Sequence, residues 1–261
     1  MKLRFNDLEA AFWASWKVFV GDLAPRLWLL SNTFWSIGLV AMITVHSPSL
    51  LTDRVMVQSV AWSAALFMGT SSMLWLVGHA LVDARETGLM HVHMSSGGSL
   101  FGFVAGKAMV VGLYNIVSLT VVVVFTTLLF GAVPSIMNPP LWILGFLLLQ
   151  VVSAGISGVF ATLLIWLKRP WVATNFMQFL LPVSSGMIPY TIAPQPLKLV
   201  MLYSPVSYPF ELLRRGATGL ELLPVDWGEL LLVSVVATFA LVFAGALALR
   251  WGEKKILARG T

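Results

Sequence analysis

Charge-free apolar runs of about twenty residues recur along this chain and constrain its fold more than any other feature. A helix needs about 20 apolar residues, at a rise of 1.5 Å each, to cross a hydrocarbon layer of roughly 30 Å. Stretches close to this length without Asp, Glu, Lys or Arg cover residues 27–45, 58–82, 108–130, 141–167, 171–192 and 230–249. The sequence therefore predicts an all-α integral membrane protein with six transmembrane helices in a single domain, residues 1–261.

Composition excludes the main soluble classes of protein. Hydrophobic residues make up 58% of the chain and charged residues 10%, against roughly 45–50% and about 25% in a soluble domain. A soluble globule of this composition could not cover its surface with polar groups, so a cytosolic enzyme, a nucleic-acid-binding domain and a disordered protein are excluded. The chain has no Cys, which also excludes disulfides and thiolate metal ligands.

Prolines interrupt the fifth apolar stretch. Pro182 and Pro189 each lack an N–H group and crowd the preceding helical turn, so the helix is predicted to break near its end. Residues 194–216 follow, contain further prolines such as Pro205, and are predicted to form broken re-entrant helices on the outer side. Glu211 precedes Arg214 and Arg215 by three and four residues, a spacing that predicts local ion pairs.

The distribution of basic residues predicts the orientation. With the N-terminus inside, 12 of the 16 Lys and Arg residues lie in inner segments, among them Lys2, Arg4 and Arg259. Basic residues are retained on the cytoplasmic side of membrane proteins. We therefore expect a multi-pass protein of the cell membrane with both termini in the cytoplasm.

The first 25 residues have an amphipathic pattern. Apolar residues spaced three and four apart share one helical face, namely Phe5, Leu8, Phe12, Trp16 and Phe19. This pattern predicts an interfacial helix that lies at the inner headgroup level with its aromatic face towards the lipid. Packing of the same face on another protein domain is the alternative.

Two motifs with apparent chemical meaning do not support a site. Gly102 and Gly106 precede Lys107, but a phosphate loop needs four residues between its glycines and a hydroxyl residue after the lysine, where this chain has Ala108. A small-residue contact between helices is the preferred interpretation. His91 and His93 are two residues apart and point in different directions on a helix. We therefore predict no catalytic residue, no metal site and no bound cofactor in this chain.

Uncharged polar residues lie within the apolar stretches. Such residues line a transport pathway or form hydrogen bonds between helices, and the candidates for pathway lining are Asn32, Ser36, Asn115, Gln150, Asn175 and Gln178. Charged residues are missing from these stretches, which disfavours an ion-coupled transporter and a passive channel. Any transport by this chain would thus need an outside source of energy.

The hydrophilic segment 83–97 is predicted to form a short cytoplasmic helix. It begins with Asp83-Ala-Arg85-Glu86-Thr87-Gly88. Met90 and Met94, four residues apart, would lie on one face and be available to a groove on a partner protein.

Taken in order, these features resemble the permease subunits of type-2 ABC exporters along nearly the whole chain. The resemblance rests on the N-terminal helix, the six spans, the Arg85-Glu86-Thr87-Gly88 segment, the broken fifth span and the outer run from Ser204 to Arg214. It implies a permease with no ATP site of its own, which forms a homodimer, or a heterodimer with a paralogue, in membrane lipid. The implied substrate is amphipathic: a drug, a lipid or a lipid-linked saccharide.

The resemblance also implies roles for particular residues. A separate ATP-binding cassette subunit, which binds ATP and Mg²⁺, would dock on a coupling helix at Arg85, Glu86, Thr87 and Gly88. An outer gate would include Pro182, Pro189, Pro205, Glu211 and Arg214. The chain departs from the family pattern after Gly88, where Leu89, Met90 and His91 replace the familiar Thr-Leu-Glu, and this leaves the subfamily and the substrate open. A membrane scaffold or assembly protein without transport activity is the alternative function.

Overall fold

A computed structural model describes residues 5–46, 53–131 and 136–258, and over these ranges the regular structure is helical throughout. In chain order the elements are α1 (Phe5–Gly21), α2 (Leu23–His46), α3 (Arg54–Ser72), a π-helical turn (Met73–Gly78), α4 (Ala80–Glu86), α5 (Leu89–Ser95), α6 (Leu100–Phe130), α7 (Pro139–Leu164), α8 (Pro170–Ser184), α9 (Gln195–Tyr203), α10 (Ser207–Thr218) and α11 (Trp227–Ala258). Lys2, Arg4 and Arg259, which contributed to the predicted orientation, lie outside the described residues.

Four helical stretches of the described chain are long and apolar enough to cross a bilayer. They are Val55–Glu86, Leu100–Phe125, Pro139–Leu164 and Trp227–Leu257. The chain is therefore a multi-pass, all-helical membrane protein. The other two predicted spans correspond to α2, with an apolar run at Leu30–Met42, and to α8. The total of six spans stays a prediction.

Within the fifth predicted span, residues 171–192, the helix ends before the apolar stretch does. α8 has 15 residues and ends at Ser184, two residues after Pro182, which gives it a length of about 22 Å. Because Pro182 lies in the last turn and Pro189 follows the helix, the predicted break near the end is confirmed. The residues beyond it form turns and then the short helices α9 and α10.

Side chains with oxygen acceptors start several of these helices. The Asp53 carboxylate accepts hydrogen bonds from the backbone N–H groups of Val55 and Met56 at 2.9 and 3.2 Å, at the start of α3. Asn138 accepts from Leu141 N at 3.2 Å at the start of α7. Such N-caps satisfy donors that have no partner within the helix.

α7 lies at the centre of the fold because glycines let two other helices approach its backbone. A Cβ atom on Gly245 of α11 would lie 2.7 Å from the carbonyl oxygen of Gly155 on α7. At the other end of α7, a Cβ on Gly145 would overlap the backbone of α10 at Leu213, and one on Gly216 would overlap α7 at Trp142. These close approaches hold α7, α10 and α11 together as one packed unit.

The aromatic face of α1 packs against α6 of the same chain. Phe19 is buried with Val110, and its ring centroid is 4.0 Å from that of Tyr114. A Cβ on Gly106 would lie 2.7 Å from the backbone of α1 at Ala11, which confirms the predicted small-residue contact at this glycine. The face predicted to enter the lipid headgroups is therefore directed at α6. The position of α1 at the membrane surface stays a prediction.

Candidate functional site

The predicted docking segment forms the junction between α4 and α5. Arg85 and Glu86 end α4, and Gly88 begins the turn into α5 with a φ of 73°. This left-handed conformation strains residues that carry a Cβ, so glycine suits the position. Residues 85–88 are all exposed. Arg85 Nη1 also donates to the carbonyl oxygen of Ile165 at 2.6 Å, which ties the segment to the end of α7.

The prediction that Met90 is available to a partner is wrong. Met90 is 8% exposed and packs in a core cluster with Leu81 and Ile256, while Met94 lies partly buried against the same cluster. The exposed apolar side chains of the segment are instead Leu89 and Val92, at 56% and 63%. On α5, with 3.6 residues per turn, they are three apart and share a face.

A continuous helical rod connects this segment to the membrane interior. α3, the π-helical turn and α4 together form one helical stretch, Val55–Glu86, of 32 residues. The π turn, Met73–Gly78, was not predicted from sequence. Its wider hydrogen-bond pattern disturbs the regular helix, and turns of this kind are found preferentially at functional sites.

Polar side chains gather beside the π turn. Trp75 Nε1 donates to Gln178 Oε1 of α8 at 2.6 Å, and Ser71 Oγ lies 3.3 Å from both Gln178 Oε1 and Asn32 Oδ1 of α2. Gln178 Nε2 in turn donates to Asn175 Oδ1 at 3.0 Å. We call these five residues the polar seam. It joins three predicted spans and brings together Asn32, Asn175 and Gln178 of the predicted lining residues.

The seam reaches the protein surface along α8. Asn32 and Ser71 are buried, whereas Gln178 is half-buried and Asn175 is exposed. Exposed apolar side chains of α8 surround Asn175, among them Phe176 at 66% and Trp171 at 54%. An amide is therefore presented on an otherwise apolar helix face.

The remaining predicted lining residues lie between helices. Ser72 Oγ is 2.7 Å from Asn115 Oδ1, and Asn115 Nδ2 donates to Gln150 Oε1 at 2.7 Å. Ser36 donates to the backbone carbonyl of Asn32 at 2.8 Å. Ser36, Asn115 and Gln150 are 1%, 1% and 7% exposed. The hydrogen bonds of Asn115 and Gln150 link α3, α6 and α7, as expected of polar residues that bond between helices. The hydrogen bond of Ser36 stays within α2.

Sequence reasoning missed a histidine contact next to the seam. The His79 ring stacks on the Trp75 indole with centroids 4.9 Å apart, and His79 Nε2 lies 2.6 Å from Thr174 Oγ1 of α8. No role was assigned to His79 from the sequence. Its spacing of four from Trp75 was the available signal, because residues four apart in a helix are neighbours.

A buried ionic cluster fixes the segment that was predicted to lie on the outer side. Glu211 is 0% exposed, and its Oε1 accepts from Arg215 Nε at 3.0 Å and from the backbone N–H groups of Leu222 and Leu223 at 2.9 and 3.1 Å. Its Oε2 pairs with the guanidinium of Arg214, which is 2% exposed. The ion pairs predicted from the spacing are thus confirmed, and their complete burial was not foreseen.

The cluster ties α10 to the chain on both sides of it. Arg215 Nη2 donates to the carbonyl oxygens of Leu223 and Val225, both at 2.9 Å. Arg214 Nη1 reaches the Gly186 carbonyl at 3.4 Å, in the turn after α8. Because every charge is paired, the charged groups are tolerated in a buried position.

The predicted gate prolines lie around this cluster. Pro182 and Pro189 are buried on either side of the turn that contains Gly186, and Pro205 is half-buried just before α10. Ser185, in the same turn, shares a hydrogen bond of 2.6 Å with Ser204. The structure thus brings all five predicted gate residues into one region, which we call the outer cluster.

Comparison with known protein families assigns the chain. The family model described as ABC-2 family transporter protein matches residues 37–246, more than half of the 261 residues. The match includes the rod, the outer cluster and every residue of the polar seam except Asn32. No curated protein matches the sequence. With its apolar membrane-spanning helices, the chain belongs to the ABC-2 family of transporter membrane proteins.

Proposed function

We propose that this chain is the permease subunit of an ATP-binding cassette exporter in the cell membrane, with both termini in the cytoplasm. Two copies, or one copy with a paralogue, form a path for an amphipathic substrate, and a separate ATPase subunit supplies the energy. The observation that carries the proposal is the rod Val55–Glu86, which joins an exposed polar segment to a polar seam among apolar helices.

The exposed end of the rod has the properties of a docking surface. Arg85 and Glu86 present opposite charges, and Leu89 and Val92 add an exposed apolar strip on the next helix. Charges that are arranged around apolar contacts give a protein interface its register and orientation. We assign the ATPase subunit to this surface.

The rod provides a route for coupling. A displacement of α4 acts on the π turn and on Trp75, which is hydrogen-bonded to α8. For ATP to drive transport, the docked subunit must bind this segment differently in its ATP and ADP states. The two ends of one helix then change position together.

The exposed face of α8 supports a dimer. Asn175 lies among Trp171, Phe176 and Phe179, which are 54%, 66% and 43% exposed. Asn175 already accepts one hydrogen bond from Gln178, and an amide in contact with hydrocarbon costs free energy for each further group that finds no partner. A second permease placed on this face covers the amide. The interface between the two copies then forms an apolar path that contains amide groups, which suits an amphipathic substrate.

The outer cluster supports a gate that moves as one body. Glu211 and its two arginines fix α10 to the segments before and after it, so this region cannot open by fraying. Opening would occur by displacement of the whole outer cluster. The turn at Pro182 and Pro189 would be the boundary between this moving region and α8.

The docking assignment is tested by changing Glu86. Glu86→Ala is expected to abolish binding of the ATPase subunit, and with it transport-coupled ATP hydrolysis, while leaving membrane insertion intact. Glu9→Ala, on the exposed surface of α1, removes the same charge elsewhere and is expected to keep coupling. Normal coupled activity in Glu86→Ala would disprove the assignment.

A further inference from the structure

A cavity lies between α5, the chain just after α7 and the last turns of α11. Its volume is 530 Å³, within the range of roughly 300–1,000 Å³ for small-molecule sites. Its apolar wall includes Met90 and Met94 of α5, Ile165 after α7 and Ile256 of α11. We call it the α5 cavity.

Three basic side chains border the α5 cavity. Arg85, His91 and Lys168 belong to its lining, and all three are exposed. Arg85 Nη1 donates to the carbonyl oxygen of Ile165 at 2.6 Å, which fixes the guanidinium at the cavity wall. A guanidinium has five N–H donors, so this bond leaves others for a second acceptor. None of the described lining residues is Asp or Glu, and the cavity therefore favours an anion.

The α5 cavity lies where membrane-spanning stretches end. Arg85, Ile165 and Ile256 line it, and each is within one residue of the end of a stretch able to cross the membrane. Helices of this length begin and end near the lipid headgroups. An occupant of the cavity is therefore at headgroup depth, on the side of the membrane that carries the docking segment.

An aromatic pair beside the cavity indicates the same depth. Trp166 lines the cavity, and its ring centroid is 6.5 Å from that of Trp251 on α11. Lys255 Nζ lies 4.6 and 4.5 Å from these two centroids. Tryptophan is enriched at the boundary between membrane and water, and lysine side chains extend their charge to it. Lys255 thus adds a positive charge close to the cavity.

The cavity faces away from the apolar strip that we assign to the ATPase subunit. At about 100° per residue on α5, the centre of the pair Met90 and Met94 lies about 150° from that of Leu89 and Val92. A subunit that docks on the exposed strip accordingly does not fill the cavity.

Apolar surface leads from the cavity along α7. Leu167 lines the cavity and is 44% exposed, and Leu163, four residues earlier, is 53% exposed. Because α7 spans the membrane, this surface continues from headgroup depth into the hydrocarbon. A molecule with an anionic head and an apolar tail matches both parts of the site.

We propose that the α5 cavity binds the headgroup of an anionic phospholipid. The phosphate binds Arg85 and Lys168, and the acyl chains leave along Leu167 and Leu163. Arginine and lysine are both suited to phosphate, arginine through paired N–H donors and lysine as a point charge. Basic pockets between membrane helices recognise lipid headgroups through the same chemistry.

Lipid retention by the purified full chain tests this inference. Phosphatidylglycerol is the anionic probe, and phosphatidylcholine with the same two oleoyl chains is the zwitterionic probe. Native mass spectrometry of the protein released from micelles counts the lipids retained. One basic residue close to an anionic headgroup contributes about fivefold to binding. We expect the wild-type chain to retain phosphatidylglycerol at least about fivefold better than phosphatidylcholine.

Two lysine substitutions separate the cavity from general attraction to anions. Lys168→Gln removes a charge from the cavity and is expected to lower retention of phosphatidylglycerol about fivefold, with phosphatidylcholine unchanged. Lys254→Gln removes the same charge from an exposed position of α11 outside the lining. This control is expected to change retention of either lipid by less than about twofold, because solvent and salt screen an exposed charge.

Four outcomes would overturn the proposal. Equal retention of the two lipids by the wild-type chain would exclude selectivity for an anion. Equal losses in Lys168→Gln and Lys254→Gln would indicate surface attraction without a site. Retention of inorganic phosphate that depends on Lys168, without selective retention of phosphatidylglycerol, would assign the cavity to a soluble phosphate compound. Loss of the ATPase subunit from Lys168→Gln, with lipid retention unchanged, would assign it to docking.

The lipid measurements are independent of the proposed permease function. They use the chain without an ATPase subunit, so failure of lipid selectivity leaves the assignment of the ATPase unchanged. Loss of co-purifying ATPase in Glu86→Ala in turn leaves the lipid measurement unaffected, because Glu86 is not among the lining residues.

Discussion

Glu211 organises the outer cluster through both of its carboxylate oxygens. Oε1 accepts from Arg215 and two backbone amides of the following loop, and Oε2 pairs with Arg214. Removing one partner of a buried ion pair leaves the other charge without compensation, at a cost of about 3–5 kcal/mol. Here one substitution would take the same carboxylate away from two buried guanidinium groups, of which Arg215 keeps only the exposed Glu221 as an ion-pair partner.

Glu211→Gln is therefore expected to lower the free energy of unfolding by about 3–5 kcal/mol and to reduce the yield of folded protein. Denaturant unfolding of the purified chain in detergent measures the effect. Glu221→Gln is the control, since Glu221 lies 3.5 Å from Arg215 Nη1 but its side chain is 58% exposed. An exposed pair contributes less than about 1 kcal/mol, so equal effects of the two variants would contradict this account.

Gly88 determines the bend between α4 and α5. Its φ of 73° is accessible to asparagine but strained for a β-branched residue. Gly88→Asn is expected to keep coupled ATP hydrolysis in the assembled complex, and Gly88→Val is expected to lose it, while both insert in the membrane. If both variants couple normally, the bend is not needed for docking.

The crossing of α7 and α10 depends on Gly216. A Cβ there would overlap the backbone of α7 at Trp142. Gly216→Ala is therefore expected to destabilise the protein by about 1–3 kcal/mol, the usual cost of overpacking. Gly38→Ala has free space around its Cβ and should be neutral or slightly stabilising. Thermal unfolding of the two variants under the same detergent conditions compares them, and a neutral Gly216→Ala would refute the close packing.

Some of these elements could be predicted from sequence and others could not. The absence of charge over a long run predicted residues 141–167 as a span, and α7 covers Pro139–Leu164. The π turn was not predicted, because its hydrogen-bond pattern depends on the packing of the helix against its neighbours. One such close contact is at Gly78, where a Cβ would lie 3.5 Å from Phe160. The spacing of Glu211 and its arginines predicted their pairing, but the same spacing occurs on solvated helices, so it carried no information on burial.

At the scale of the whole molecule, the exposed face of α8 predicts how two copies meet. The chain contains no Cys, so a single introduced cysteine can form a disulfide only with the same position of a second copy. Phe176→Cys, at a position that is 66% exposed, is expected to give a disulfide-linked dimer in membranes under mild oxidation. Leu128→Cys, on α6 at a position that is 75% exposed, is the control and is expected to stay monomeric. Equal cross-linking at both positions would argue against a specific interface.

The central claim is that a separate ATPase works through this chain, and co-purification tests it most directly. A tagged chain is isolated in mild detergent, and the proteins that accompany it are identified and assayed for ATP hydrolysis. We predict recovery of a subunit with a genuine phosphate-binding loop, together with ATPase activity, and loss of both when Glu86 is changed to Ala. Recovery of this chain alone, without ATPase activity, would contradict the account and favour a membrane scaffold.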